Sequence, residues 1–426
     1  MQASTIQFQM DVSSPAQISE AAARLRRAVQ DLDVTPDEVL TIFDRWAKRL
    51  DAPELNEIPG IVFLRMWLRR GTLEPIIERE LGPNSLNSGW NKGGCAECRA
   101  YPLGVIGHWP AANVEIQPIL SMTCALLGGN AALVRIPRNL HQLTQVLVEG
   151  LVDSDPDEIL ASRIFLVAFP HDRRDLHEAM AQVVDGAMIW GGREAVLQVR
   201  ALPFPHWTRL AVFGPRLSVA AMDAGTWTNK DVCETWCRRL ARDVWQFDQQ
   251  ACSSPQVLFL EKDASQSIAE FVRFLERAFR EENRAHPRRG ISASLTTAIA
   301  HARASWLFED AAHTAVFPKS PDWTLLFGSG ADIPQPTQGR TLTVLEVGSL
   351  LDAIEKFDGN VQTLGLGVSE LEKERLITEL AAKRGVDRIV KLGHMHTFVP
   401  PWDGVDLIRP MVRMVRHVHS LESAQQ

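Results

Sequence analysis

The segment QFDQQACSSPQ at residues 246–256 places one cysteine, Cys252, among small and polar residues. An amphipathic helical pattern precedes this segment and the apolar run 257–260 follows it, so we predict a loop between a helix and a strand. A thiol in such a loop can attack a carbonyl carbon and hold an acyl group as a thioester. The alternative is that Cys252 is one more small buried residue. The loop alone favours that alternative, and the rest of the chain reverses the balance.

The composition is that of an ordinary globular protein. The chain has 426 residues, 45% hydrophobic and 23% charged, which is enough for two or three domains. A net charge of -7 gives no reason to expect nucleic acid or an anionic membrane as a partner. No apolar run could span a bilayer and the first ten residues lack a signal-peptide pattern, so we expect a cytoplasmic protein. Six cysteines in a chain of this length do not form a disulfide framework.

The pattern of the chain changes near residue 100. The first 90 or so residues read as helices, one of them opened by a capping box from Thr35 to Glu38 with Pro36 at its first position. A second capping box, from Ser369 to Glu372, predicts a late helix that ends at Gly385.

From about residue 100, strands alternate with helices, which predicts α/β units with mostly parallel sheets. Ligands of such sheets bind at the carboxyl ends of the strands. We expect four parts: a helical N-terminal segment (1–95) that packs on the cofactor domain, a dinucleotide-binding domain (96–222), a catalytic domain carrying Cys252 (223–405), and a C-terminal helix or tail (406–426).

Two segments, of which the second contains glycines, indicate dinucleotide binding. The stretch Arg135-Ile136-Pro137-Arg138 puts two arginines at the end of a predicted strand, where a ribose or phosphate would lie. Solvated surface charges are an equal alternative. The turn Trp190-Gly191-Gly192 joins a strand to a helix, and its glycines would let the backbone approach a pyrophosphate. It is not a GxGxxG motif, so alone it is a weak signal.

Asn113 follows a strand and precedes a helix. Its side chain could cap that helix or direct its amide at a developing oxyanion. The sequence leaves both open. His108, His394 and His396 lie near turns and could each donate a proton, although a structural role is expected for any one of them.

Two cysteine pairs have spacings found in metal sites. Cys233 and Cys237 lie one helical turn apart on an apolar face, so we expect them in the core. Cys95 and Cys98 have the spacing of a zinc knuckle, but they are expected in a loop. We therefore predict no metal site.

Several motifs in the same order resemble the LuxC-type acyl-CoA reductases, a branch of the aldehyde dehydrogenase superfamily. The resemblance covers about residues 95 to 418 and implies two doubly wound α/β domains, one dinucleotide-binding and one catalytic, behind a helical N-terminal segment. The motifs are HWPAANV (108–114), ALLGGNAALVRIP (125–137), IWGG (189–192), FGPRLSVA (213–220), FDQQACSSPQ (247–256), VQTLGLG (361–367), GVDRIVKLG (385–393) and WDGVDLIRPMVR (402–413).

The resemblance implies roles for two catalytic residues. Cys252 would be the nucleophile that takes the acyl group. Asn113 would form the oxyanion hole together with the backbone N–H of Cys252. Val212 stands where acid-forming aldehyde dehydrogenases carry the glutamate that activates water, so the acyl-enzyme would survive until it is reduced to an aldehyde.

The resemblance also implies a nicotinamide cofactor, NADPH or alternatively NADH. Arg135 would lie beside the adenosine ribose, where relatives usually carry lysine, with Pro137 and Arg138 in the same segment. Trp190, Gly191 and Gly192 would form the dinucleotide turn, and Glu346 would contact the nicotinamide ribose. These residues are the predicted cofactor site: Arg135, Pro137, Arg138, Trp190, Gly191, Gly192 and Glu346.

The expected partners are an acyl-CoA or an acylated carrier protein as acyl donor, and further copies of the chain in a homo-oligomer. Two other functions stay open. One is a CoA-acylating aldehyde dehydrogenase that works in the oxidative direction, and the other is an acyltransferase that passes the Cys252-bound acyl group to a partner. The length of the acyl chain is not visible in the sequence.

Overall fold

A computed structural model describes residues 7–9, 12–93, 96–264 and 266–418. The chain forms two compact units. The first runs to Pro215 and is rejoined at Phe398, and the second spans Arg216–Thr397.

The first unit holds eight helices and nine strands along the described residues. The helices are α1 (Pro15–Asp31), α2 (Pro36–Arg49), α3 (Ile61–Trp67), α4 (Arg70–Leu81), α5 (Gln117–Leu127), α6 (His141–Val152), α7 (Arg174–Val183) and α8 (Arg193–Arg200). The strands are β1 (Gln7–Gln9), β2 (Asn91–Gly93), β3 (Ala96–Pro102), β4 (Val105–Trp109), β5 (Ala131–Arg135), β6 (Ile164–Val167), β7 (Gly186–Trp190), β8 (Arg209–Phe213) and, from the end of the chain, β16 (Val412–Val418).

The second unit contributes the remaining elements. Its helices are α9 (Ala224–Trp227), α10 (Lys230–Trp245), α11 (Ala269–Ala285), α12 (Ala293–Glu309), α13 (Leu350–Glu355) and α14 (Leu371–Lys383). Its strands are β9 (Leu217–Met222), β10 (Pro255–Glu261), β11 (Thr314–Val316), β12 (Thr324–Ser329), β13 (Thr341–Val347), β14 (Val361–Gly367) and β15 (Arg388–Lys391).

The main sheet of the first unit is parallel throughout, in the order β1-β6-β5-β4-β7-β8. Strand β4 is buried along its whole length, as expected for a central strand covered on both faces. From β4 the chain proceeds to β5 on one side, whereas β7 and β8 lie on the other side. The topological switch point, where ligands of such sheets bind, is therefore between β4 and β7.

The helical N-terminal part packs on this unit. The predicted capping box at α2 is confirmed: the Thr35 backbone N–H donates to the Glu38 carboxylate at 2.8 Å, and the Glu38 N–H donates to the Thr35 hydroxyl at 3.3 Å. Helix α2 is anchored by Trp46, which is fully buried and whose indole donates to the Leu147 carbonyl at 3.0 Å.

A small antiparallel sheet, in the order β16-β3-β2, contains the end of the described chain. The prediction of a helix or tail over 406–426 is wrong for its described part, since residues 412–418 form β16. The approach to β16 is fixed by the buried carboxylate of Glu80, which accepts the backbone N–H groups of Leu407, Ile408 and Arg409 at 2.7–3.2 Å. The strand partner, β3, is some 300 residues distant in sequence, so local pattern could not reveal it.

The second unit is built on a seven-stranded sheet in the order β11-β12-β13-β10-β9-β14-β15, parallel except for β11. The predicted boundary between residues 222 and 223 is misplaced, because β9 pairs with β10 and β14 of this sheet and the division falls after Pro215. The strand itself was predicted correctly. Which sheet it joins depends on strands that lie far away in the sequence, so the local pattern did not indicate it.

The second predicted capping box is also corrected. Helix α14 begins at Leu371, and Ser369 lies outside it, donating its hydroxyl to the Asp223 carboxylate at 2.7 Å. Gly385, at φ +85°, follows the end of α14 as predicted. No helix in the described ranges is both long and apolar enough to cross a membrane.

Candidate active site

The switch point of the first unit is framed by the ends of two neighbouring strands. Trp109 ends β4 and Trp190 ends β7, and Trp109 pairs in register with Ile189. The indole of Trp190 stacks on Phe213, with ring centroids 3.8 Å apart and planes at 12°, and its Nε1 donates to the Ser121 hydroxyl at 2.9 Å. The aromatic residue before the glycines is therefore held in one orientation.

The turn after Trp190 fits a phosphate group. Gly191 has φ +155°, and Gly192 is the N-cap of α8, with open space where a side chain would begin. A helix N-terminus behind an open glycine turn exposes backbone N–H groups to an anion. The predicted positions Trp190, Gly191 and Gly192 thus lie at one carboxyl edge, where the residues present fit a dinucleotide.

The two arginines after β5 have different surroundings. The Arg135 guanidinium lies 5.6 Å from the Phe169 ring centroid and donates to the Phe169 carbonyl at 3.4 Å, and burial lowers its pKa from the ordinary value. Pro137 is buried, whereas Arg138 is exposed at the start of a short 3-10 turn. Of the two arginines, Arg138 is the more accessible to a ligand.

Asn113 is exposed in the loop between β4 and α5. Helix α5 begins at Gln117 and its N-cap is Ile116, so the alternative that Asn113 caps this helix is wrong. The loop is held at its start by the Ala111 N–H, which donates to the Gln117 side chain at 3.0 Å, and by Asn139, which donates to the Ala112 carbonyl at 3.1 Å.

His108 is a structural residue in the middle of this unit. Its ring is fully buried, with Nδ1 2.8 Å from the Ser121 hydroxyl. Burial lowers the pKa of His108 to about 3, so at neutral pH the ring is a poor proton acceptor. This disfavours His108 as the base that activates a thiol.

The Cys252 loop of the second unit starts from a strained backbone. After α10, Phe247, Asp248 and Gln249 have φ of 55°, 50° and 62°, three consecutive left-handed residues. Each costs about 1–2 kcal/mol for a residue other than glycine. Such a conformation persists only where the surroundings over-determine it.

Gln249 and Asp248 supply those surroundings. The buried amide of Gln249 donates to the carbonyls of Pro255 and Thr341 at 2.8 Å each and accepts the Thr341 N–H at 2.7 Å. Asp248 accepts from the Arg340 guanidinium at 2.6 Å. The loop is thereby fastened to the start of β10 and the start of β13.

Hydrogen bonds at Cys252 and at the next residue fix the backbone of the loop. Its carbonyl accepts from the Ser218 hydroxyl at 2.7 Å, and the next residue, Ser253, has its hydroxyl 2.9 Å from Nδ1 of His396. Ala251, Ser253 and Ser254 are buried, but Cys252 is only partly buried. The residue thus combines a fixed backbone with a side chain that reaches the surface.

A hydrogen bond to a backbone carbonyl, and not to a carboxylate, orients the ring of His396. Its Nε2 lies 2.7 Å from the Asp243 carbonyl oxygen, which can only accept. Nε2 therefore carries the proton and Nδ1 accepts from Ser253. Burial lowers the pKa of His396 to about 4, so the ring is neutral. The sequence indicated His396 only as a histidine near a turn and gave no sign of its partner.

Glu346 does not lie near Cys252. It is in register with Leu260, near the carboxyl end of β13, whereas the Cys252 loop lies at the amino end of the parallel strand β10. Five residues of strand separate Pro255 from Leu260, roughly 16 Å at about 3.3 Å per residue. Glu346 is therefore not in contact with the Cys252 loop, and its contact with a nicotinamide ribose stays a prediction. The residues of this strand beside the loop are Arg340 and Thr341.

Val212 is the residue expected in place of the water-activating glutamate of acid-forming aldehyde dehydrogenases. It lies in β8 in register with Ile189 and packs against the apolar core of the first unit. A valine here cannot act as a base toward water.

The described ranges contain no group of three or more His, Cys, Asp or Glu side chains placed to share a metal ion. Cys233 and Cys237 are fully buried in an apolar core, with sulfur atoms 3.9 Å apart, which confirms the core interpretation. Cys95 lies outside the described residues, so the prediction for Cys95 and Cys98 is not tested.

The folded chain is similar to aldehyde dehydrogenases. Aldehyde dehydrogenase from Brucella melitensis biovar abortus 2308 superposes with a TM-score of 0.72 over 95% of this chain and 89% of that one, at 12% identity. Proline utilization A from Bradyrhizobium japonicum, in its D779W form, superposes with a TM-score of 0.70 at 15% identity, over 96% of this chain and 46% of that one. The chain thus has the α/β fold of aldehyde dehydrogenases, as predicted.

Sequence comparison identifies the family. The profile of the acyl-CoA reductase (LuxC) family matches residues 32–416, so the chain belongs to that family. The long-chain acyl-protein thioester reductase of Vibrio harveyi is 23% identical over 369 residues, which are 86% of this chain and 74% of that protein. That of Aliivibrio fischeri is 23% identical over 82% of this chain and 70% of that protein.

Proposed function

We propose that this protein reduces an acyl thioester to an aldehyde through an acyl group held on Cys252. The observation that carries the proposal is the Cys252 loop itself: a partly buried thiol on a backbone fixed by Ser218, Ser253 and Gln249. Membership of the acyl-CoA reductase family supports the same reaction.

In the first step the Cys252 thiolate attacks the carbonyl carbon of the incoming thioester. A bond forms between the cysteine sulfur and that carbon, and the bond to the donor sulfur breaks, releasing the donor as a thiolate. The carbonyl oxygen carries negative charge during the attack. We propose that Asn113 and the backbone N–H of Cys252 stabilise it, the roles that the family resemblance implies for them.

The second step is reduction. A nicotinamide cofactor, which we propose is NADPH, would supply the hydride that reduces the thioester carbon. The oxyanion of the resulting hemithioacetal on Cys252 would re-form the carbonyl and break the carbon–sulfur bond, which gives the aldehyde and the Cys252 thiolate. Trp190, Gly191 and Gly192 would hold the pyrophosphate end of the cofactor, and Arg138 would face a 2′-phosphate.

Val212 supports reduction over hydrolysis. An acyl-enzyme is lost to water only when a base activates that water, and the position that would carry the base holds an apolar side chain. The thioester would therefore persist until hydride arrives.

The donor is proposed to be a long-chain acyl group carried on a protein or on CoA. The relatives named long-chain acyl-protein thioester reductases support a protein-bound donor. Acyl-CoA esters of graded length are the accessible first substrates.

Intact-protein mass spectrometry tests the proposal. The enzyme is mixed with acyl-CoA esters without cofactor, and NADPH is then added. We expect a mass gain on the peptide holding Cys252 that disappears with NADPH while aldehyde is released. Cys252→Ala should give no adduct, and Cys98→Ala, which alters a partly buried cysteine of the other unit, should behave as wild type.

Each other result is informative. An adduct that persists through NADPH would contradict the reductase and support the acyltransferase. Formation of acyl-CoA from aldehyde, with the equilibrium lying on that side, would support the oxidative direction. An adduct on Cys252→Ala would remove Cys252 as the nucleophile.

A further inference from the structure

A cavity of about 290 Å³ lies in the first unit, apart from the residues assigned to the reaction. Gly129 and Arg163, which line it, immediately precede β5 and β6, so the cavity lies at the amino edge of the parallel sheet. The dinucleotide turn follows the carboxyl end of β7, at the opposite edge. An occupant of this cavity would therefore not overlap the cofactor. Its principal lining residues are Val34, Leu81, Arg99, Tyr101, Leu127 and Arg163.

Arg163 gives the cavity a buried positive charge. The residue is 1% exposed, and its two terminal nitrogens donate to the backbone carbonyls of Leu32 and Gly129 at 2.5 Å. No carboxylate forms an ion pair with it within the described part of the chain. Burial lowers the pKa of Arg163 to about 10, so it remains protonated at neutral pH. The carboxylates of Asp33 and Glu38 also favour its protonated form. Its buried Nε has no hydrogen-bond partner in the described residues, so an anion beside it would offset part of the cost of burying the cation.

Arg99 adds a second guanidinium group to the lining of the cavity. Its carbon lies 4.8 Å from the ring centroid of Tyr101, and its Nε is buried without a hydrogen-bond partner in the described residues. The Asp33 carboxylate approaches at 3.9 Å, but its side chain is 87% exposed and is screened by solvent. The cavity therefore carries an excess of positive charge.

Apolar side chains also line the cavity, among them Val34, Leu81, Leu127 and Pro102. A lining that contains both guanidinium groups and apolar side chains matches a ligand with one anionic end and one hydrocarbon end. The volume is at the lower end of the range of ligand sites, roughly 300–1,000 Å³, so that ligand is small.

We propose that this cavity is a binding site for a small amphipathic carboxylate. The carboxylate would face the guanidinium groups of Arg99 and Arg163, whose buried Nε atoms have no hydrogen-bond partner in the described residues. The chain would lie against Val34, Leu81 and Leu127. The apolar lining residues would bind the hydrocarbon chain of such a ligand, and a free inorganic anion has no chain to place there.

Calorimetric titration of the full chain tests the site with three probes. Octanoate has both ends, octanamide has the same chain without charge, and inorganic phosphate has charge without a chain. We expect saturable binding of octanoate and at least ten-fold weaker binding of the other two. Phosphate bound as tightly as octanoate would overturn the amphipathic assignment, and no saturable octanoate binding would overturn the site.

Variants locate the binding. Arg99→Gln should weaken octanoate binding roughly ten- to hundred-fold, the effect of losing one hydrogen bond to a charged group. Arg174→Gln removes an arginine of the same unit that is 75% exposed and should leave the affinity unchanged. An equal affinity in wild type and Arg99→Gln would place octanoate elsewhere and refute the proposal. Arg99 is preferred to Arg163 because Arg163 holds the carbonyls of Leu32 and Gly129 and its loss could unfold the chain.

Discussion

The Ser253 hydroxyl lies 2.9 Å from Nδ1 of His396, one residue after the proposed nucleophile. Because Nε2 of His396 faces the Asp243 carbonyl, the ring is neutral and accepts from the serine. His396 therefore positions the Cys252 peptide and does not take the proton of the thiol.

His396→Ala should lower the rate of acylation of Cys252 roughly ten-fold, as expected for one lost hydrogen bond in a positioning role. The pH at which acylation reaches half its maximum should not move. Ser253→Ala, which removes only the hydroxyl, should have a similar effect. Quenched-flow mass spectrometry across pH measures both quantities, and a shifted pH profile in His396→Ala would show that His396 is the base.

The Gln249 amide is expected to be the main support of the left-handed segment 247–249. Gln249→Ala would leave the N–H and C=O of Thr341 and the carbonyl of Pro255 without this partner. We expect a loss of about 2–5 kcal/mol in the free energy of unfolding, from one to three unsatisfied buried groups. Gln249→Glu keeps the acceptor for the Thr341 N–H but turns a buried carboxylate oxygen toward the carbonyls of Pro255 and Thr341, so it should lose at least as much. Urea denaturation measures both, and equal stability of Gln249→Ala and wild type would contradict this role.

The elements that could be predicted from the sequence are those determined by residues close together in the chain. Cys252 in a helix-to-strand loop and the turn Trp190-Gly191-Gly192 are set by residues adjacent in the chain, and both are found where predicted. The contact between Ser253 and His396 joins residues 143 positions apart, and the pairing of β16 with β3 joins both ends of a unit. No local signal carries such partners.

The position of Glu346 relative to the Cys252 loop was a further property that the sequence did not give. The residue lies in a predicted strand that does exist, but the two ends of a seven-residue strand are about 20 Å apart, at about 3.3 Å per residue step. Only the parallel register of β10 and β13 shows that the Cys252 loop meets Arg340 and Thr341.

Asn113→Ala should lower turnover roughly 100–1,000-fold, since one oxyanion-hole donor commonly contributes about 2.7–4 kcal/mol. The far-UV circular dichroism of Asn113→Ala should match that of wild type, since Asn113 is exposed in a loop. Asn139→Ala, which removes an amide that only supports the same loop, should cost less than about ten-fold. Steady-state kinetics separates the two, and unchanged turnover in Asn113→Ala would remove it from the reaction.

Arg138 is expected to contribute to selection of the cofactor. Arg138→Gln should raise KM for NADPH roughly ten-fold and leave KM for NADH nearly unchanged, because only NADPH carries the 2′-phosphate. Arg174→Gln serves as the control for loss of an exposed charge in the same unit. A parallel change of both KM values would argue against contact with the 2′-phosphate.

Asp243 should make the second unit less stable as pH rises through the weakly acidic range. Its carboxyl is buried, which raises its pKa from 3.8 to about 7 although it accepts the N–H groups of Gly393 and Met395. Between those values the unfolded chain has released the proton and the folded chain retains it, so the free energy of unfolding falls with pH from about 4 to about 7 and then levels off. Asp243→Asn cannot ionise, and its stability relative to wild type should increase over that interval. Urea denaturation at pH 5, 6, 7 and 8 measures the difference. A relative stability of Asp243→Asn that is flat from pH 5 to 7 would show that the carboxyl is already ionised in the folded protein, held by the two N–H groups.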